Sequence, residues 1–220
     1  MAVTPLAETK TLPGLKLPTT LVLAVPKPIT INVPGIHATL QEGFLSAEYA
    51  TRLMGILEKQ AKWNHPLHHH KRHNANYGDP GICYDLKIGD QVIHRPVHDW
   101  KDLPDLMYVR DLISFTTRTK YNYVVIQCYP YHDVGIPAHR DREVAPGTVI
   151  SGVSLGAARD LILAPNRSQN SYTLTCTHGS LYNMWPPTND QATHAVGRGK
   201  EGDGPRISLT YRYQIPPSSS

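Results

Sequence analysis

His139, Asp141 and Glu143 occupy alternate residues of the stretch IPAHRDREVAPG, with Arg140 and Arg142 between them. In extended backbone, alternate side chains share a face, so an imidazole and two carboxylates would point one way and the arginines the other. Such a face can ligate a metal ion or exchange protons; it can equally be the charged end of a solvated strand. H-x-D by itself is too short to decide, because it recurs by chance. A metal face of two histidines and one carboxylate needs a second histidine from another strand. It would leave positions open on an octahedral Fe(II) for a bidentate cosubstrate and O2. His194 in QATHAV follows a strand-like run and is the leading candidate, with His178 in the turn-like THGS as its competitor.

A cosubstrate with two carboxylates needs a buried cation. RISLTYR places Arg206, Ser208, Thr210 and Arg212 on alternate residues of one run. Two guanidiniums and two hydroxyls on one face do not suit a packed core, but they suit a bound dianion, which arginine grips with two parallel hydrogen bonds. The competing reading is an edge strand with a solvated face. Further back, HHHKRHN reads as a metal tract or, more simply, as a solvated basic loop. Lys71 and Arg72 could there contact phosphates, and Tyr77 and Tyr84 could stack on a base or serve as ordinary core tyrosines. Trp63, Trp100 and Trp185 read as packing residues.

The elements that must position these groups follow from period and punctuation. FLSAEYATRLMGILEKQAKW predicts a helix capped by Ser46, with Tyr49, Ala50, Leu53, Ile56 and Leu57 on one face. LPDLMYVRDLISFTT predicts a second helix buried through Leu106, Val109, Leu112 and Ile113. Between them HPLHHHKRHNANYGDPG has no period and reads as a loop. From residue 121 onward NYVVIQCY, TVISGVSL, DLILA, SYTLTCT, SLYNMW and RISLTYRY predict closely spaced strands. Helices first and strands second suggest an α+β fold whose strands form a sandwich or jelly roll. Residues 1–33 read as an extension and 215–220 as a disordered tail.

The bulk properties agree with an intracellular, soluble protein of the cytoplasm or nucleus. The chain has 220 residues, 40% hydrophobic and 18% charged, enough for one buried core. A net charge of +4 is compatible with an anionic partner without requiring one. Three separated cysteines without C-x-x-C argue against a disulfide framework or a zinc-cysteine site. No secretory pattern is evident, and the longest apolar run, LVLAVP, is too short to cross a bilayer.

Taken in order, H-x-D, a histidine some fifty residues on and R-x-S-L-T-x-R resemble the AlkB-like Fe(II)/2-oxoglutarate dioxygenases. NYVVIQCY is similar to the family's N-x-Y strand, SGVSLG to its S-L-G strand, and MWPPTND to the turn before its distal histidine. NYGDPGICYDL resembles its substrate-recognition region, placed within about residues 65–100 of a domain spanning 34–214. The resemblance implies a double-stranded β-helix (jelly-roll) barrel with N-terminal helices packed on one side. It implies iron ligation by His139, Asp141 and His194, and the turn context of His178 puts that residue outside the shell. Arg206 and Tyr129 match the residues that hold the far carboxylate of 2-oxoglutarate, Ser208 and Arg212 match further cosubstrate positions, and Gln127 stands at a cosubstrate position where the family usually has Asn. Glu143 matches the acidic residue facing the substrate base. The implied activity is oxidative demethylation of N-alkylated bases in DNA or RNA by a monomer using Fe(II), O2 and 2-oxoglutarate and releasing succinate, CO2 and formaldehyde. Two alternatives are a hydroxylase of a protein or small molecule on the same iron site, and a catalytically silent nucleic-acid-binding module. The intact His139, Asp141, His194 and Arg206 argue against the second.

Overall fold

Short alternating runs dominate the second half of the chain, and they assemble as two facing sheets in the computed structural model, which describes residues 27–64, 71–88 and 91–215. The chain opens with β1 (Ile29–Val33), β2 (Ile36–Gln41) and helix α1 (Ala47–Gln60). Next come β3 (His73–Gly78), the hairpin of β4 (Tyr84–Ile88) and β5 (Gln91–Arg95), the two-residue β6 (His98–Asp99) and helix α2 (Pro104–Thr117). The strands β7 (Tyr123–Tyr129), β8 (Ile136–His139), β9 (Ile150–Gly156), β10 (Arg159–Pro165), β11 (Tyr172–Cys176) and β12 (Leu181–Trp185) follow. A single turn, α3 (Thr188–Gln191), leads into β13 (Ala192–Val196), and β14 (Arg206–Arg212) completes the larger sheet.

The larger sheet runs β1-β2-β12-β9-β14-β7-β3-β6 and the smaller runs β11-β10-β13-β8. Apart from the short parallel contact of β3 with β6, the pairings are antiparallel. Two cores result from the period-2 alternation. On the outer face, Val124, Ile126, Ile207, Leu209 and Tyr211 pack against Leu53 and Leu57 of α1 and Leu106, Val109 and Ile113 of α2. Between the sheets, Ile36, Ile150 and Met184 of the larger meet Leu161, Leu163 and Ala192 of the smaller. This is the expected α+β jelly roll with its helices on one side. The Ser46 hydroxyl accepts from the Tyr49 N–H at 3.2 Å, capping α1 as its sequence indicates.

Two boundaries are corrected. The extension expected over 1–33 cannot reach residue 33, because Ile29–Val33 pairs in full with Ile36–Leu40. Its residues ITINV alternate apolar and polar, and Ile31 and Val33 pack against the core between the sheets, so the period-2 signal of a strand is present in the sequence. Residues 1–26, and the tail at 216–220, lie outside the described residues. The stretch read as a loop after α1 contains β3, whose register with the central β7 sets Asn74 opposite Gln127 and Tyr77 opposite Val124. HNANYG has no β-branched residue, so pairing with a buried neighbour makes it a strand where propensity does not. His68, His69 and His70 of the histidine tract fall outside the described residues.

Candidate active site

β8 and β13 are neighbours in the smaller sheet, and their register sets His139 directly opposite His194. The two imidazole centroids are 4.2 Å apart. Asp141 follows two residues beyond the last paired residue of β8 and is buried, whereas Arg140 and Arg142 are exposed. The alternation read from the sequence therefore persists past the strand end. One donor atom from each of His139, Asp141 and His194 lies within 4.8 Å of the others.

The donors suit a cation. His139 Nδ1 lies 2.9 Å from the Pro137 carbonyl, which can only accept, so that nitrogen donates and Nε2 is the atom turned toward Asp141. Nε2 is 3.6 Å from Asp141 Oδ1, and His194 Nε2 is 3.8 Å from Oδ2, both longer than a hydrogen bond. Burial, reinforced by the charges of His139 and Arg212, pushes the His194 imidazolium down to a pKa of about 3. The uncharged His194 imidazole, the His139 imidazole and one carboxylate converge on a common gap, the donor set expected of a mononuclear divalent metal site. His178 is not among them: its Nδ1 accepts from the Gly156 N–H at 2.8 Å and its Nε2 faces the Thr51 hydroxyl at 3.1 Å.

β14 lies in the larger sheet between β7 and β9, and its polar face turns inward as the alternation predicts. Arg206 is 1% exposed; its Nε donates to the Ser154 hydroxyl at 2.9 Å and its guanidinium stacks on Tyr129 with the centroid 4.9 Å away. Arg206 Nη1, also buried, has no hydrogen-bond partner among the described residues. A buried guanidinium nitrogen left unsatisfied is costly, and a carboxylate is the group that satisfies it best. The Tyr129 hydroxyl donates to Gln127 Oε1 at 3.2 Å, and burial raises its pKa against the opposing Arg206 and Arg72 charges, keeping it a donor. Ser208 is buried one alternate position along the same face.

At the far end of β14, Arg212 bridges two carboxylates. Its Nη2 lies 2.9 Å from Asp141 Oδ2, and its Nη1 bonds Glu143 Oε1. Burial opposes the Arg212 charge, but Asp141 and Glu143 outweigh it and raise its pKa well above the usual value. The Tyr123 hydroxyl also donates to Glu143 Oε1, at 3.1 Å. Among the described residues Glu143 thus forms no ion pair with Arg140 or Arg142, and its contacts to Arg212 and Tyr123 both use Oε1, which leaves Oε2 for another group. Tyr84, half-buried on β4, packs with Ile82, Tyr123 and Val125 against this wall.

The remaining sequence candidates divide. Tyr77 is corrected: it belongs to the helix-side core, fully buried, with its hydroxyl accepting from the Lys62 N–H at 2.9 Å, so it cannot stack on a base. Arg72 points inward, its Nη1 donating to Gln127 Oε1 at 2.7 Å. Lys71 stays exposed beside Asp133. Both line a cleft of about 500 Å³ along β8 and β13, together with Ile136, Val196 and Arg198. Sequence reasoning missed Asn189, whose amide holds the Asp141 backbone, and Tyr123, which holds Glu143. Tyr123 does share the inward parity of Gln127 and Tyr129 on β7, and that signal was available.

Comparison with known proteins accords with this geometry. Residues 37–212 match the model of the 2OG-Fe(II) oxygenase superfamily. The chain is 35% identical over 179 residues to DNA oxidative demethylase ALKBH2 of Mus musculus, covering 77% of this chain and 71% of that protein. It is 34% identical over 186 residues to the Bos taurus protein of the same name, covering 80% of this chain and 63% of the relative. The fold is similar to the solved structure of OsALKBH1, with a TM-score of 0.55 at 14% identity over 83% of this chain and 100% of the other. A 2OG-Fe(II) oxygenase family oxidoreductase from Burkholderia pseudomallei gives 0.54 at 15% identity, over 80% and 85% of the two chains. The chain belongs to the 2OG-Fe(II) oxygenase superfamily, as an AlkB-like dioxygenase. No helix among the described residues is long and apolar enough to cross a membrane.

Proposed function

We propose that the protein removes N-methyl groups from bases of DNA. The observation that carries this reading is the joint placement, inside one barrel, of a metal-competent His139–Asp141–His194 face and a buried, unsatisfied Arg206 nitrogen. Demethylation of DNA, as opposed to another substrate of this chemistry, is supported by the similarity to DNA oxidative demethylases.

In this reading His139, Asp141 and His194 hold Fe(II), and Arg206 takes the far carboxylate of 2-oxoglutarate through Nη1, with Tyr129 and Ser208 beside it. Gln127 and Arg72 orient the Tyr129 hydroxyl. Fe(II), with 2-oxoglutarate and O2, supplies the oxidising power that converts an N-methyl group to a hydroxymethyl group, which leaves as formaldehyde. The protein's own work is positional. Arg212 fixes the Asp141 carboxylate and draws Glu143 toward the site, where Oε2 can accept from an exocyclic amino group and favour a cationic methylated base. Tyr84 on the β4–β5 hairpin offers a ring for stacking, and Lys71 offers a phosphate contact. A base within a duplex must leave the stack to reach this depth.

Succinate release in the presence of Fe(II) and 2-oxoglutarate tests the proposal. Methylated DNA oligonucleotides should stimulate it above unmethylated DNA. Equal stimulation by both, or none by either, would refute the nucleobase reading.

A further inference from the structure

Each histidine of the metal face is held by a sheet, but Asp141 is not. β8 ends at His139, and the pairing with β13 goes no further in that direction. Asp141 sits past the ladder, where nothing in the sheet fixes the distance of its carboxylate from the two imidazoles. Two side chains take over. Arg212 holds the carboxylate head, and Asn189 holds the main chain. The Asp141 N–H donates to Asn189 Oδ1 at 3.1 Å, and Asn189 Nδ2 donates to the Asp141 carbonyl at 2.8 Å. The amide thereby imitates the paired residue that a longer β13 partner would have supplied. Its orientation is fixed, because a flipped amide would face donor with donor and acceptor with acceptor.

Asn189 lies on α3, the single turn that runs directly into β13 and so into His194. α3 is itself anchored, since the Thr188 hydroxyl both accepts from the His37 N–H and donates to the His37 carbonyl, each at 2.8 Å. One short segment therefore carries the distal histidine and, five residues earlier, the clamp on the carboxylate. The geometry points to Asn189 as a positioning residue of the metal centre: it sets the place of Asp141 relative to His194. This rests on the reading of His139, Asp141 and His194 as the iron ligands. Asn189 donates nothing to the metal, and its effect passes through the Asp141 backbone.

Co(II) titration of the full chain, read by its visible absorption bands, tests this without turnover. Asn189→Ala should weaken Co(II) binding roughly tenfold or more, as loss of a supporting partner commonly does. It should also shift the bands, because the carboxylate changes place. Asn189→Asp keeps the size but sets an oxygen against the Asp141 carbonyl, so it should weaken binding too and carries the test if Asn189→Ala fails to fold. Leu53→Ala, in the helix-side core, should lower the melting temperature yet leave affinity and bands unchanged, which separates positioning from general loosening. Parent-like affinity and bands in a folded Asn189 variant would overturn the inference, as would an equal change in Leu53→Ala. A parent that binds no Co(II), or whose binding survives His139→Ala, would overturn the metal assignment and the clamp with it.

Discussion

Removal of the Arg206 guanidinium is the sharpest perturbation of the cosubstrate pocket. The side chain is 1% exposed, its Nε donates to Ser154, and its buried Nη1 has no partner among the described residues. A carboxylate bound there would be desolvated and would depend on this cation. Truncating one partner of such a pair costs about 3–5 kcal/mol, mostly because the other charge is left buried and unpaired. At about 1.4 kcal/mol per decade, Arg206→Ala should weaken 2-oxoglutarate binding by at least a hundredfold. Arg206→Lys should recover part of this, because an ammonium cannot reproduce the fork or its stacking on Tyr129. Ser208→Ala, which removes a neutral donor, should cost roughly 0.5–1.5 kcal/mol, no more than about tenfold. Calorimetric titration of 2-oxoglutarate into Co(II)-loaded protein gives these constants, with melting temperatures as a check on folding. Near-parent affinity in a folded Arg206→Ala variant would refute the assignment.

Glu143→Ala should slow demethylation by about tenfold to a hundredfold, the worth of one charged hydrogen bond of roughly 1.5–3 kcal/mol, while Co(II) affinity changes far less; equal losses in both would show that Glu143 acts only through Arg212. Lys71→Ala should weaken binding to all DNA sequences alike and lower the salt slope by about one, whereas Arg72→Ala should act on the apparent affinity for 2-oxoglutarate through Gln127; fluorescence anisotropy and steady-state kinetics distinguish the two. Acid should destabilise the metal-free protein through His194. Its folded pKa of about 3 lies below the unfolded value, so the unfolded chain takes up a proton that the folded one refuses as pH falls from about 6.5 toward 3. Thermal melts across that range should show a shallower pH dependence in His194→Asn, and an unchanged slope would contradict the burial argument.

Much of the site is readable from alternation, because extended backbone assigns faces by parity. The inward set of His139, Asp141 and Glu143 and the inward face of β14 both follow from that rule. Tyr77 failed for the same reason: read as a loop, HNANYG offered no parity, yet as β3 it sends Ala75 and Tyr77 to the helix-side core. Arg72 shows another limit, since an arginine beside lysine and histidines reads as surface until the β3–β7 register brings it to Gln127. The Asn189 clamp spans 48 residues and joins two non-strand positions, so neither period nor local motif marks it. Long-range hydrogen bonds to backbone carry no sequence signature of their own.

The central claim joins the metal face to DNA demethylation, and one measurement addresses both. A DNA oligonucleotide carrying a single 1-methyladenine is incubated with Fe(II), 2-oxoglutarate, ascorbate and either the parent chain or Asp141→Ala, and its mass is followed. The parent should convert the oligonucleotide to its unmethylated mass, and the variant should leave it unchanged. Persistence of the methyl group with the parent, or its removal by the variant, would contradict the account.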